Sequence, residues 1–246
     1  MLSPRSNLRI ASALLAVAAC PASVAFAEGP AIFPSYYEML PVTSTPSKVA
    51  VADFNGDGRL DLATPCGYPE DKPYDVNVLL ALPDGGFAPP QTYAVGPSTL
   101  WIVAEDFNGD GHPDIATAGI EWPGSTVNIL INNGDGGFAP ATDFSDEPEL
   151  FQLAAGDIDH DGDVDLVSCG ANANEVILFL NDGGGAFDDV VYLPSPTAPY
   201  APAVDDFDGD GFYDIAVANE VSDNLSVYYG DGAGGFPDRV DYAVGG

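Results

Sequence analysis

The chain has 246 residues and a formal net charge of −32 at pH 7, from 38 acidic against 6 basic residues. That balance excludes nucleic-acid binding, which needs a basic footprint. Beyond the first 27 residues the cysteines are Cys66 and Cys169, too sparse for a disulfide scaffold, and we expect two free thiols.

Residues 1–27 read as a signal peptide. Arg5 and Arg9 give a basic start, Ile10 to Ala19 an apolar stretch too short to span a membrane, and Ala25-Phe26-Ala27 a small-x-small cleavage site. Val17-Ala18-Ala19-Cys20 resembles a lipoprotein box with Cys20 as the acylated residue. Cleavage after Ala27 is the preferred reading because Pro21 follows Cys20 awkwardly. Either route predicts a secreted protein, extracellular or at the cell surface. Residues 28–43, with Tyr36-Tyr37-Glu38-Met39-Leu40, predict an outer strand and a linker.

The rest of the chain, 44–246, repeats one nine-residue loop four times. Its copies begin at Asp53, Asp106, Asp157 and Asp206, spaced by 53, 51 and 49 residues. Oxygen-bearing side chains recur at positions 1, 3, 5 and 9. They are Asp53, Asn55, Asp57 and Asp61; Asp106, Asn108, Asp110 and Asp114; Asp157, Asp159, Asp161 and Asp165; and Asp206, Asp208, Asp210 and Asp214. So many carboxylates resist ionising together unless a cation supplies the missing charge. An all-oxygen set points to calcium before magnesium, about four ions per chain. The first half matches the calcium-loop pattern, with Gly58, Gly111, Gly162 and Gly211 at the sharp turn. At position 7 the backbone carbonyl of Arg59, His112, Asp163 or Phe212 would be a further ligand, which leaves that side chain free to vary. An EF-hand is excluded, since position 12 is Thr64, Thr117, Ser168 and Val217 where that loop needs a bidentate Glu. His160 stands where the other loops have Gly, and we expect strain there.

Alignment on the loops exposes repeats of about 44–96, 97–148, 149–197 and 198–246. A short apolar strand enters each loop: Val49–Ala52, Trp101–Ala104, Leu153–Ala155 and Ala203–Val204. A second follows the loop. A third is Val76–Leu80, Val127–Ile131, Val176–Leu180 and Leu225–Tyr229, running into a Gly-rich turn closed by Phe87, Phe138, Phe187 or Phe236. A less regular fourth, such as Gln91–Val95, leads onward. Four strands per repeat with no helical period predict an all-β fold of β-propeller-type blades.

The unit VAVADFNGDGRLDLAT followed by VNVLLALPDGGF resembles the FG-GAP/VCBS repeat of integrin α-subunit propellers and many secreted bacterial proteins. The resemblance implies a calcium-stabilised propeller, with metal carried by Asp53, Asn55, Asp57, Asp61 and their counterparts. Integrin-type propellers have seven blades, whereas this chain has four loops. Part of a larger propeller, a small four-bladed ring and an open array closed by another chain all stay open.

No G-x-S-x-G, H-E-x-x-H or P-loop is present, and both histidines lie inside the loops. Gly230–Gly235 formally fits G-x-G-x-x-G, but Phe236-Pro237 leads into a strand instead of a helix. The expected function is non-catalytic: extracellular adhesion, or binding of a protein or carbohydrate ligand. The alternative is an accessory module of a longer secreted hydrolase or lyase. Tyr68, Pro69, Tyr74, Glu121, Trp122, Pro148 and Tyr200 fall at the blade ends away from the loops and are the candidate ligand face.

Overall fold

A computed structural model describes residues 40–67, 74–119, 126–144, 150–170 and 172–244. The signal peptide, residues 28–39 of the N-terminal strand and linker expected over 28–43, and the connections carrying Tyr68, Pro69, Glu121, Trp122 and Pro148 lie outside the described residues; residues 40–43 form no strand. Among the described residues sixteen strands form four sheets, each an antiparallel meander in chain order. The first sheet is β1 (Ala50–Ala52), β2 (Asp61–Cys66), β3 (Asp75–Leu79) and β4 (Gln91–Ala94). The second is β5 (Thr99–Glu105), β6 (Asp114–Gly119), β7 (Val127–Leu130) and β8 (Thr142–Phe144). The third is β9 (Leu150–Gly156), β10 (Asp165–Gly170), β11 (Glu175–Leu180) and β12 (Asp189–Pro194). The fourth is β13 (Pro199–Asp205), β14 (Asp214–Asn219), β15 (Asn224–Tyr229) and β16 (Asp238–Ala243).

The third and fourth entry strands, β9 and β13, begin earlier than their short apolar cores suggested. Each contains a register shift against its neighbour, and β5 does too. Such bulges break the alternation from which strand length is read in sequence. The two middle strands of each sheet are almost wholly buried, while the outermost strands are largely exposed. Alternating residues of the middle strands therefore feed two different cores. One core joins the first and second sheets around Phe54, Val78, Ile115 and Phe138. Another joins the second and third around Phe107, Ile129, Leu166 and Phe187. The last joins the third and fourth around Ile158, Leu178, Ile215 and Val217. Among the described residues no core joins the fourth sheet to the first, and no strand pair between those sheets makes more than marginal contact. The described residues thus form an arc of four blades, not a closed four-bladed ring.

Each junction is built alike. The residue at loop position 2 points out of its own blade and is covered by the turn of the next. Phe54 meets Phe138 edge to face at 5.5 Å, and Phe107 meets Phe187 at 5.7 Å. At the third junction Ile158 and Phe236 share a core. The preceding turn glycine must come close: a Cβ on Gly136 would fall 2.9 Å from Leu80 and 3.1 Å from Asn55, and one on Gly185 3.0 Å from Ile131. At two junctions an asparagine adds a clasp. Asn132 Nδ2 donates to the carbonyls of Phe54 and Pro113, and Asn181 Nδ2 to those of Phe107 and Val164.

Position 2 of the fourth loop breaks the pattern: Phe207 is 48% exposed where Phe54, Phe107 and Ile158 are at most 1% exposed. Phe107→Ala is therefore expected to lower the unfolding free energy by about 3–5 kcal/mol, the range for emptying a packed aromatic site. Phe207→Ala should cost less than about 1 kcal/mol. Denaturant midpoints of the two variants check the difference.

Candidate metal centre

The loop geometry starts from the carboxylate at position 9. Asp61, Asp114, Asp165 and Asp214 open the second strand of each blade and are at most 1% exposed. One oxygen accepts the backbone N–H of loop position 2, from Phe54, Phe107, Ile158 or Phe207, at 2.8–3.0 Å. The other accepts the N–H just beyond the third strand, from Ala81, Asn132, Asn181 or Gly230, at 2.7–2.9 Å. One buried side chain so ties the loop to three strands. Each carboxylate oxygen keeps lone pairs for a further partner.

Positions 1, 3 and 5 curl inward around backbone donors. In the first loop Asp57 N donates to Asp53 Oδ1 and Asn55 Oδ1, both at 3.1 Å, and Gly58 N donates to Asp53 Oδ2 at 2.7 Å. The second and fourth loops repeat this with Asp106, Asn108 and Asp110 and with Asp206, Asp208 and Asp210. The turn needs left-handed backbone at its fourth and sixth positions, φ +69° at Gly56 and +83° at Gly58, which glycine adopts without a Cβ clash. His160 takes the same conformation at φ 61°, so the expected strain is present. Its ring meets Phe212 edge to face at 5.3 Å, a contact that glycine could not make.

The third loop differs most usefully. Asp157 Oδ1 and Asp159 Oδ1 are buried with no hydrogen-bond partner. Asp157, Asp159 and Asp165 bring one carboxylate oxygen each within 4.8 Å of one another, and Asp206, Asp208 and Asp210 do the same. Burial and the neighbouring Asp161 and Asp157 charges push the Asp159 carboxyl above its usual range. Burial likewise raises Asp114 to about 6 and Asp165 to about 7, against the lowering effect of their backbone donors. Orphaned, crowded carboxylate oxygens fit a hard divalent cation better than they fit one another. In the first two loops position 3 is Asn, offering an amide oxygen in place of a charge.

The position 7 side chains lie outside this cluster, over their own Gly-rich turns. Arg59 donates to the Ala81 carbonyl and pairs with Asp57, so the first loop carries its own cation beside position 5. His112, Asp163 and Phe212 stand against Gly134, Gly183 and Gly232. Among the described residues Cys66 and Cys169 are free and buried, as expected, and burial pushes the Cys169 thiol up to about 12, an inert state.

At the opposite end, the starts of the inner strands gather Trp101, Phe151 and Tyr200. Trp101 meets Tyr200 edge to face at 6.2 Å, Phe151 lies 5.1 Å from Tyr200, and Lys48 Nζ sits 5.0 Å over the Trp101 ring. Trp101 also packs against the core between the second and third sheets, whereas Tyr200 remains 38% exposed. Of the other candidates on that face, Tyr74 is half-buried. Sequence reasoning missed Asn132 and Asn181. Their signal, an Asn two residues before Gly134 or Gly183, is present in only two repeats, Ala81 and Gly230 standing there in the others.

Comparison with known proteins agrees with this repeat geometry. The FG-GAP-like repeat model matches residues 106–168 and 157–217, and the FG-GAP repeat model matches 45–65. No curated protein matches the chain. Among solved structures, a lectin of Agrocybe aegerita, described as recognising non-reducing terminal N-acetylglucosamine, is 25% identical at a TM-score of 0.57. The match covers 78% of this chain and 50% of the lectin. A periplasmic gluconolactonase of Pseudomonas aeruginosa is 16% identical at a TM-score of 0.65, covering 85% of this chain and 61% of the enzyme. A Tc holotoxin pore structure of Photorhabdus luminescens reaches a TM-score of 0.42 at 23% identity, covering 83% of this chain and 10% of that one. The chain therefore spans half the length of the lectin. Loop, strand order and Phe-closed turn recur together in the four blades, and the chain belongs to the FG-GAP repeat family.

Proposed function

We propose that this chain is a secreted, calcium-binding propeller-type module that holds an extracellular ligand and has no catalytic activity of its own. The orphaned buried oxygens of Asp157 and Asp159 carry the metal part of the reading. Bound calcium would supply positive charge to the acidic loops, beyond what Arg59 gives the first. The chain's own residues do the positioning: Asp53, Asp106, Asp157 and Asp206 anchor the turn, and the position 9 carboxylates fix it to the blade. Metal binding at such a site adds to folding free energy. Among the described residues no helix is long and apolar enough to cross a membrane. The N-terminal segment read from the sequence supports export to a compartment where calcium is plentiful.

The aromatic cluster of Trp101, Phe151 and Tyr200 supports the ligand part. Tyr200 presents an exposed ring at the mouth of the inner strands, a surface suited to stacking on a sugar face or gripping a peptide. The sugar recognition described for the Agrocybe aegerita lectin favours carbohydrate of the two. On a glycan array the protein should retain glycans ending in N-acetylglucosamine or a related sugar, and Tyr200→Ala should lose at least about tenfold in that signal. A protein that retains no glycan would count against the carbohydrate reading.

Native mass spectrometry tests the metal directly. Up to four calcium ions per chain are expected, lost on chelation, and Asp157→Asn combined with Asp159→Asn should remove one. At a hundredfold excess over its Kd each site should contribute about 2.7 kcal/mol, read as a higher Tm. A folded protein that binds no calcium overturns the reading.

The raised carboxyls give the pH dependence its sign. Asp114 and Asp165 bind protons more tightly in the fold than in the unfolded chain, whose value is 3.8. Each adds stability that is complete below that value and is lost as pH rises through about 6 and about 7 respectively. The calcium-free protein should therefore show a falling denaturant midpoint from about pH 4 to about pH 7. A midpoint that rises across this window would contradict the burial of these groups.

A further inference from the structure

The four acidic loops differ in how far their ligand oxygens are already satisfied. In the first loop each side-chain oxygen at positions 1, 3, 5 and 9 has a donor. Asp53 accepts Asp57 N and Gly58 N, and Asn55 accepts Asp57 N. Asp61 accepts Phe54 N and Ala81 N. Asp57 accepts Arg59 N at Oδ1, at 3.0 Å, and the Arg59 guanidinium at Oδ2. The third loop is the opposite case. Asp157 Oδ1 and Asp159 Oδ1 are buried with no donor, and Asp163 adds a fifth carboxylate to Asp157, Asp159, Asp161 and Asp165.

Arg59 is anchored in this place. Its Nε donates to the Ala81 carbonyl at 3.1 Å, which pins the side chain to the residue just beyond the third strand. In the second and third blades that residue is Asn132 or Asn181, whose amide joins the third strand to the end of the loop. Ala81 has no such side chain, and Arg59 makes the link from the loop instead. The pair with Asp57 is partly exposed, its side chains 37% and 26% accessible, so its own contribution to stability is small. Its weight lies in charge. The first loop holds three carboxylates and one guanidinium, whereas the third holds five carboxylates and neither Lys nor Arg.

Calcium affinity in oxygen-ligand loops is tuned by the number of ligand charges and the rigidity of the site. We propose that Arg59 is an internal counter-ion that makes the first loop the last to take calcium, while the third loop takes it first. Calcium entering the first loop meets a cation already held at Asp57 and oxygens that already have donors. In the third loop it meets oxygens without donors and the larger negative charge. The first blade thus keeps its loop ordered without metal. The junction of the third and fourth blades, where Gly234 is seated on Asp159, instead responds to calcium concentration. This inference rests on the reading of the loops as calcium sites, and not on which ligand the aromatic cluster holds.

Calorimetric titration of the full chain with calcium, with native mass spectrometry to count ions, separates the binding steps. The weakest step should be at least about tenfold weaker than the tightest. Asp157→Asn with Asp159→Asn should remove the tightest step, and Asp53→Asn with Asp57→Asn the weakest, the others staying in place. Arg59→Gln keeps an amide within reach of the Ala81 carbonyl but removes the charge. It should tighten the weakest step by about tenfold, or add a fourth ion where the unaltered chain holds three. Arg59→Lys, which keeps the charge, should leave that step weak. Four steps of equal affinity, or a weakest step indifferent to Arg59→Gln, would overturn this inference and leave the calcium reading standing. So would loss of the tightest step with Asp53→Asn and Asp57→Asn. A folded protein that binds no calcium in any of these forms overturns both.

Discussion

The fold depends on a buried carboxylate that accepts two backbone hydrogen bonds from opposite sides. At position 9 of each loop the aspartate sits where strand pairing begins, with Ala52, Glu105, Gly156 or Asp205 opposite it. Its two acceptor oxygens reach the loop that has just closed and the residue that follows the third strand. A carboxylate buried without partners would be expensive; with two charge-assisted bonds it becomes a three-strand tie. No apolar residue could replace it, since both N–H groups would then be left unsatisfied inside the blade. This is a constraint on the blade before it is a property of any metal site.

Much of this could be read in the sequence, and the reason is periodic. Four copies of one acidic pattern, each followed by an apolar strand and a glycine turn ending in Phe, leave few architectures open. The parts that could not be read are those where the copies disagree. The Asn132 and Asn181 clasps occur twice, and their counterparts are Ala81 and Gly230, so no repeat signal marks them. The bulges in β5, β9 and β13 shift the register after strand entry and hide the true starts of two strands. Position 2 of the loop reads as a spacer between ligand positions. Only the three-dimensional contact between Phe54 and Phe138 shows that it belongs to the neighbouring blade.

The two ends of the blades divide the chemistry. Acidic loops and glycine turns crowd one end, where Asp114, Asp159 and Asp165 are pushed toward protonation by burial. Aromatic residues and Lys48 meet at the other. A ligand held at Tyr200 would therefore be insulated from the metal loops by the length of the inner strands. That separation would suit the division we propose, in which calcium holds the blade and another surface binds the ligand.

The same nine residues nonetheless serve two neighbours at once. Oxygens at positions 1, 3, 5 and 9 turn toward the loop interior, while the side chain at position 2 and the Cβ at position 3 face the next blade. Asn55 shows both roles, accepting Asp57 N with Oδ1 and seating Gly136 with Cβ. Asp159 does the same in the third loop, with an orphaned Oδ1 inside and Gly234 outside. Fixing the inner oxygens must therefore fix the outer seat, because both hang on one short stretch of backbone held by the position 9 carboxylate. A free energy that orders the loop interior is in this way shared with the junction, and by linkage a seated neighbour favours the ordered loop in return.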